Sequence, residues 1–429
     1  MAITLFVRGL INSSIRANNL EKLATATRMI LTGLPNRRVV SEWLKNHQPF
    51  EDVVKYAEEL GKFLGLIGGK FDDLFHVFSD FAIHSNENYR VLALFALAEG
   101  WSDNAQVYSQ LLNDAINDPN GIVRSAATFL LAEKYHDKHE VISVVFDRAK
   151  YDTYLSPEEN TVNVNVRLVA LQAIVSYYTD NPQTLPLLLN HAKNADDPDI
   201  RLTAANALAQ HYRDNPESLP LLRDLVIKDK NEDVRVTAVN ALKEHYRDNP
   251  ETLLLLRECA VKDGNSSVRS SAISALAEYD QDNPETLSLL RNFVINDETA
   301  SVRDAVVSAL AEHYHDNPET LPLLRECAIK DENSGVRSSA ISALAEYYSD
   351  NPEILPFLLD RAVHDLSPTI SDPNIELYPR EVAIDALAEN WLEHPDTQLL
   401  LHERAENDPT PWLREQVKKI IAELEAKKK

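Results

Sequence analysis

The stretch DNPETLPLLRECAIKDENSGVRSSAISALAEYYS, residues 316–349, decides the architecture, because the chain repeats it. Asp-Asn-Pro returns at Asp180, Asp214, Asp248, Asp282, Asp316 and Asp350, each at the same interval from the last. A strict period of that size marks a supersecondary unit that cannot bury its apolar face alone and must stack on copies of itself. The expected fold is therefore all-α, an α-solenoid or superhelix of stacked two-helix repeats.

Within each unit the residues assign two helices. Asn before Pro suits a helix N-cap, and Pro suits the first helical position, where a missing N–H is no loss. Glu217 and Glu319 follow in the first turn, facing the positive end of the helix dipole. Leu321, Leu323, Leu324 and Ala328 then fall at helical spacing, so helix A is expected from each Pro to the next Lys-Asp. A second proline, at Pro186, Pro220, Pro322 and Pro356, predicts a kink in helix A. Helix B starts just before Val234-Arg235, Val268-Arg269, Val302-Arg303 and Val336-Arg337. Its apolar stripe reads Val336, Ala340, Ile341, Ala343 and Leu344, small enough for close helix approach.

Asp229, Asp263, Asp297 and Asp331 close helix A, and Arg235, Arg269, Arg303 and Arg337 each follow at one fixed spacing. That spacing predicts an Asp/Arg ladder between neighbouring repeats, with carboxylate and guanidinium paired bidentately. Exposed pairs contribute only about 0–1 kcal/mol, so the ladder reads as a structural register device.

Proline-bearing helix A, then Asp, then Val-Arg-x-x-A-x-x-A-L resembles the HEAT repeat, particularly the short kind of phycobilisome-lyase-like proteins. The same units, with residues 316–348 as the best example, are similar to the C-terminal HEAT arrays of bacterial NACHT-type NTPases. The length also equals that of a TPR motif, but the Trp, Leu-Gly and Tyr positions of a TPR are absent.

The helix B arginine extends the array upstream to Arg201, Arg167, Arg124 and Arg90, and downstream to Arg380 and Arg414. Two steps, Arg124 to Arg167 and Arg337 to Arg380, are longer than the others by equal amounts. The extra residues form proline-bearing polar inserts near 153–166 and 366–379, expected as loops. Such inserts either mark a functional edge of the array or record drift that a surface loop tolerates. The repeat array is thus expected over 69–415. Residues 1–68 diverge from the consensus, with helices expected at Leu5–Ile15, Leu20–Leu31 and Phe50–Leu66, and read as a cap or docking region. Residues 416–429 read as a charged C-terminal capping helix.

The net charge of −24 argues against nucleic acid, which requires clustered Lys and Arg. The segment 1–68 is basic on balance, and the rest of the chain taken together carries the negative charge. No apolar run is long enough to cross a bilayer, so no membrane span is expected, and with no signal-peptide layout the cytoplasm is the expected compartment. Cys259 and Cys327 share one repeat position two repeats apart, beyond the roughly 7 Å that a disulfide allows. They read as small core residues in a reducing compartment.

Patterns that might carry chemistry fail on spacing. Gly65, Gly68, Gly69 and Lys70 lack the P-loop interval, and Phe71 stands where Ser or Thr is needed, which leaves a turn. His211, His245 and His313 share one repeat position, so stacking separates them by about 10 Å or more and they cannot share a metal. No catalytic, metal or cofactor site is expected, and the chain reads as non-enzymatic.

The remaining pattern is aromatic. One position near the end of helix B reads Trp101, Tyr135, Tyr178, Tyr212, Tyr246, Asp280, Tyr314, Tyr348 and Trp391. The position before it adds Tyr177, His211, His245, Tyr279, His313 and Tyr347. The first column either packs against the next repeat or presents an aromatic ladder to a partner, with Asp280 as a specificity mark. The expected function is a scaffold or sensor that binds a protein partner with a basic surface along the inner, helix B face. The NACHT-array likeness implies a role in bacterial signalling or defence. The lyase likeness implies the alternative, a bilin lyase-like pigment-handling or chaperone protein.

Overall fold

The computed structural model describes residues 72–85, 87–152, 165–365 and 379–427. Twenty α-helices and no strand occur among the described residues. The divergent segment 1–68 with its three expected helices, the glycine turn, and the bodies of both inserts lie outside them.

The helices alternate between a first and a second member of each repeat. They run α1 Asp72–Ala82, α2 Glu87–Gly100, α3 Ala105–Asn117, α4 Gly121–Tyr135, α5 His139–Tyr151, α6 Val166–Tyr177, α7 Thr184–Asn194 and α8 Pro198–His211. These form one compact unit, residues 1–211. The second unit, 212–429, holds α9 Ser218–Lys228, α10 Glu232–His245, α11 Pro250–Lys262, α12 Ser266–Tyr279, α13 Pro284–Asn296, α14 Ala300–Tyr314, α15 Thr320–Lys330, α16 Ser334–Tyr347, α17 Ile354–His364, α18 Pro379–Asn390, α19 Pro395–Asn407 and α20 Pro411–Lys427. No described helix is long and apolar enough to cross a membrane.

In each unit the second helices pack on one another, while successive first helices barely touch. Small side chains permit the close approach. Ala272, Ala275 and Ala277 of α12, with Ala340, Ala343 and Ala345 of α16, are all buried, beside Leu276, Ile341 and Leu344. The first helices contribute Leu324, Cys327 and Ala328 in α15 and their equivalents elsewhere. Cys259 and Cys327 are free and buried, and burial pushes their thiols up to about 11 and about 12.

The second proline acts differently from the expected kink. It shifts where the first helix starts. α7, α9, α15 and α17, which carry it, begin beyond the Asp-Asn-Pro triplet, so Pro186, Pro220, Pro322 and Pro356 each fall third in the helix. A first-turn residue has no intrahelical acceptor for its N–H, so proline is tolerated there without bending the helix. α11 and α13 have Leu254 and Ser288 at that place and start at Pro250 and Pro284 themselves. Asn keeps its capping role in both arrangements: Asn249 Oδ1 accepts from Glu251 N at 3.0 Å, and Asn317 Oδ1 from Glu319 N at 3.0 Å.

Residues 416–427 continue α20, the helix that carries Arg414.

Candidate functional site: the charged ladder and the aromatic column

Each ladder arginine holds two neighbours at once. Arg235 donates from Nε and Nη2 to the two carboxylate oxygens of Asp263, both at 2.9 Å, and from Nη1 to the Asp229 carbonyl at 3.0 Å. Arg303 does the same with Asp331, at 2.7 and 2.8 Å, and with the Asp297 carbonyl at 2.9 Å. Arg269–Asp297 and Arg337–Asp365 complete this set, Arg90–Asp118 and Arg124–Asp152 repeat it in the first unit, and Arg380–Asp408 is a looser 3.5 Å version. The aspartate that closes a first helix thus serves the arginine of the preceding repeat. Its own repeat's arginine takes its carbonyl.

These are not the exposed pairs the sequence reading assumes. Both side chains of Arg303–Asp331 are only 6% exposed. Removing one member of a buried pair typically costs about 3–5 kcal/mol, because the other charge is left unpaired away from water. The fork geometry of Arg also sets the distance and angle between repeats.

A second, exposed ladder joins the first helices. Arg223, Arg257, Arg291 and Arg325 reach Glu251, Glu285, Glu319 and Glu353, again one repeat on. The glutamates are 65–80% exposed, so solvent screens these pairs.

The aromatic column lies mostly inside the stack. Tyr135, Tyr178, Tyr246 and Tyr314 are buried, while Trp101, Tyr212, Tyr348 and Trp391 are half-buried. Tyr135 Oη donates to the Ser102 carbonyl at 2.5 Å, Tyr246 Oη to the Arg213 carbonyl at 3.0 Å and Tyr348 Oη to the His315 carbonyl at 2.8 Å. These tyrosines tie each second helix to the loop of the repeat before. The hydroxyls of Tyr178 and Tyr314 are buried without a partner, and burial pushes both phenols up to about 12. The buried members expose only 5–7% of their surface, which leaves little of them to meet a ligand.

Asp280, the break in the column, has a local role. It accepts from Arg257 Nη2 at 2.5 Å and from the Thr286 hydroxyl. Its carboxylate draws the Arg257 side chain, which also meets Glu285 at 3.0 Å, towards the repeat interface.

The position just before the column is the accessible one. Tyr177 is 38% exposed, and Tyr279, Tyr347, His245 and His313 are half-exposed, with His211 more so. The glutamates Glu244, Glu312 and Glu346 precede them on the surface, and Glu278 pairs with Lys243 at 2.7 Å. No group of three or more metal-ligating side chains converges among the described residues.

One irregular rung was missed by the sequence reading. Counted forward from Arg167 as Asp152 is from Arg124, the ladder needs an aspartate at the place where Ala195 stands. Aligning position 195 with Asp229 and Asp263 is enough to find it.

A row of stacked two-helix repeats, held by arginine–aspartate rungs, defines an α-solenoid. Residues 159–243, 222–311 and 287–372 match the family model of HEAT repeats, so the chain carries HEAT repeats over that span. Among solved structures, yeast importin-β (Kap95p) aligns at 14% identity with a TM-score of 0.56, covering 93% of this chain and 60% of that one. The same protein in its complex with Nup1 aligns at 15% and 0.56, covering 94% and 60%. The CpcE–CpcF phycocyanin lyase of Nostoc sp. PCC7120 is a distant likeness, at 16% identity and a TM-score of 0.31, covering 58% and 91%. No curated protein matches the sequence. The importin likeness concerns the fold.

Proposed function

We propose that this chain is a non-enzymatic scaffold that recognises a basic protein segment along its row of second helices. The observation that carries this reading is the accessible column at their ends. In the second unit Tyr279 and Tyr347 share it with His245 and His313, beside the acidic Glu244, Glu278, Glu312 and Glu346. Aromatic rings supply contact area at low entropic cost, and carboxylates steer a basic partner to them. Importin-β, which shares the fold, is seen in complex with Nup1, so a solenoid of this kind can hold a polypeptide. The cytoplasm, and a role in signalling or defence like that of NACHT-linked arrays, belong to the same proposal.

The test is affinity capture from source-cell lysate with the wild-type chain and with a Glu244→Lys, Glu312→Lys, Glu346→Lys variant. Bound species are read by mass spectrometry and visible absorbance together. A stoichiometric polypeptide that salt releases and the variant loses supports the scaffold. Equal capture by both proteins, or a bound chromophore without polypeptide, overturns it.

A further inference from the structure

The broken rung opens a cavity. Arg167 starts α6 at the ladder position, but at the place one repeat on, where Arg90 finds Asp118 and Arg124 finds Asp152, stands the buried Ala195. The Arg167 Nε is buried and has no hydrogen-bond partner, and no carboxylate among the described residues pairs with its guanidinium. The nearby Asp197 is engaged elsewhere, accepting from Asn165 Nδ2 and from Asp199 N at 2.8 Å. Leaving a guanidinium edge unpaired at a buried position is costly, unlike at the filled rungs.

The space in front of it is a cavity of about 520 Å³, within the first unit. Lys150, Arg167, Asn190, His191, Asn194 and Ala195 are among the residues that line it. Tyr151 also faces it, and none of the lining residues is acidic. That is an unusual balance in a chain of net charge −24. His191 is only 3% exposed, and its Nε2 has no partner. Burial, then the charges of Arg167 and Lys150, hold its pKa below the usual value, so the ring is neutral at pH 7. Nε2, buried and without a partner, is the ring nitrogen open to a ligand.

We propose that this cavity binds a small organic hydroxy acid, whose carboxylate takes the place that aspartate fills at the other rungs. The carboxylate meets the Nε edge of Arg167, the geometry seen at Asp118 and Asp152. Lys150 adds a second positive charge, and Asn190 and Asn194 supply amides at the rim. A hydroxyl on the ligand donates to His191 Nε2. Ligand volumes of this kind fit a cavity of this size with room for water. This inference is independent of the protein-binding reading.

The probe is malate, titrated into the full chain by calorimetry and by thermal melts, with inorganic phosphate in parallel. The wild type is expected to show saturable malate binding and a saturable rise in Tm. Ala195→Asp fills the rung from within, so it should melt higher without ligand and lose the response. Arg167→Met should bind about tenfold more weakly or not at all, with removal of the charge-assisted pair as the cause. Absence of saturable binding in the wild type overturns the proposal, as does an Ala195→Asp chain that binds as the wild type does. Phosphate binding as tight as malate overturns the assignment to carboxylates. Binding that appears only in Glu158→Gln, Glu159→Gln shows that the chain itself supplies the carboxylate, which also overturns it.

Discussion

Arg235 and Asp263, in neighbouring repeats, meet through two parallel hydrogen bonds of 2.9 Å, one from Nε and one from Nη2 of the guanidinium. Because Arg235 also holds the Asp229 carbonyl, a single side chain fixes the end of one first helix against the end of the next. Repeated rung by rung, this contact makes the stacking register a property of side-chain geometry as well as of apolar burial.

The ladder can be tested at Arg303–Asp331, where both side chains are only 6% exposed. Asp331→Ala leaves Arg303 buried with only the exposed Glu332 at 3.6 Å beside it, and should destabilise the chain by up to about 3–5 kcal/mol. Replacing both partners, Arg303→Met with Asp331→Leu, should cost much less, since no unpaired charge remains. Urea unfolding of both variants checks the contrast. Equal losses would show that packing, and not the charge left behind, sets the cost.

The tyrosine column makes a second contrast. Tyr246→Phe removes a hydroxyl bonded to the Arg213 carbonyl and should cost about 0.5–1.5 kcal/mol. Tyr314→Phe removes a buried hydroxyl with no partner, and should be neutral or stabilising. Chemical denaturation midpoints decide it, and a larger loss at Tyr314 would contradict the geometry.

Proline should be tolerated at one place in α11 and not at another. Leu254 is 65% exposed and occupies the position where α7, α9, α15 and α17 carry their second proline. Leu254→Pro should therefore shift the helix start and cost less than about 1 kcal/mol. Glu258→Pro, one turn further on, should cost about 3 kcal/mol or more. Circular dichroism and urea melts compare the two.

His191 gives the chain a pH dependence with a definite sign. Its folded pKa lies below the unfolded value of about 6.5, so the unfolded state binds the extra proton. Its contribution is complete above about pH 6.5 and is lost as pH falls from there towards the folded pKa. Melting temperatures from pH 7.5 to 5 should fall less steeply in His191→Gln than in the wild type. An unchanged slope would exclude a neutral buried ring.

Much of the fold was legible because the repeat makes its own alignment. Six copies of Asp-Asn-Pro, and the Val-Arg pair that follows four of them, locate both helices of those units without any outside comparison. Helix starts were less legible. The second proline pointed to a kink because its missing N–H matters only past the first turn, and where that turn begins depends on hydrogen bonds the sequence does not display. The burial of Tyr135 and Tyr246 was open for a similar reason: two adjacent columns, both aromatic, differ by about 100° around one helix, and only stacking decides which faces inward.

The sequence by itself determined the class of architecture, the place of the Asp/Arg rungs and the gap at Ala195, since each is a matter of period and residue type. Tertiary structure decided which carboxylate each arginine takes, which aromatic column stays wet, and that a cavity opens at the gap. Those outcomes depend on how far one repeat is offset from the next. That offset is set by side chains meeting across a whole repeat, a separation in sequence at which local propensity has no influence.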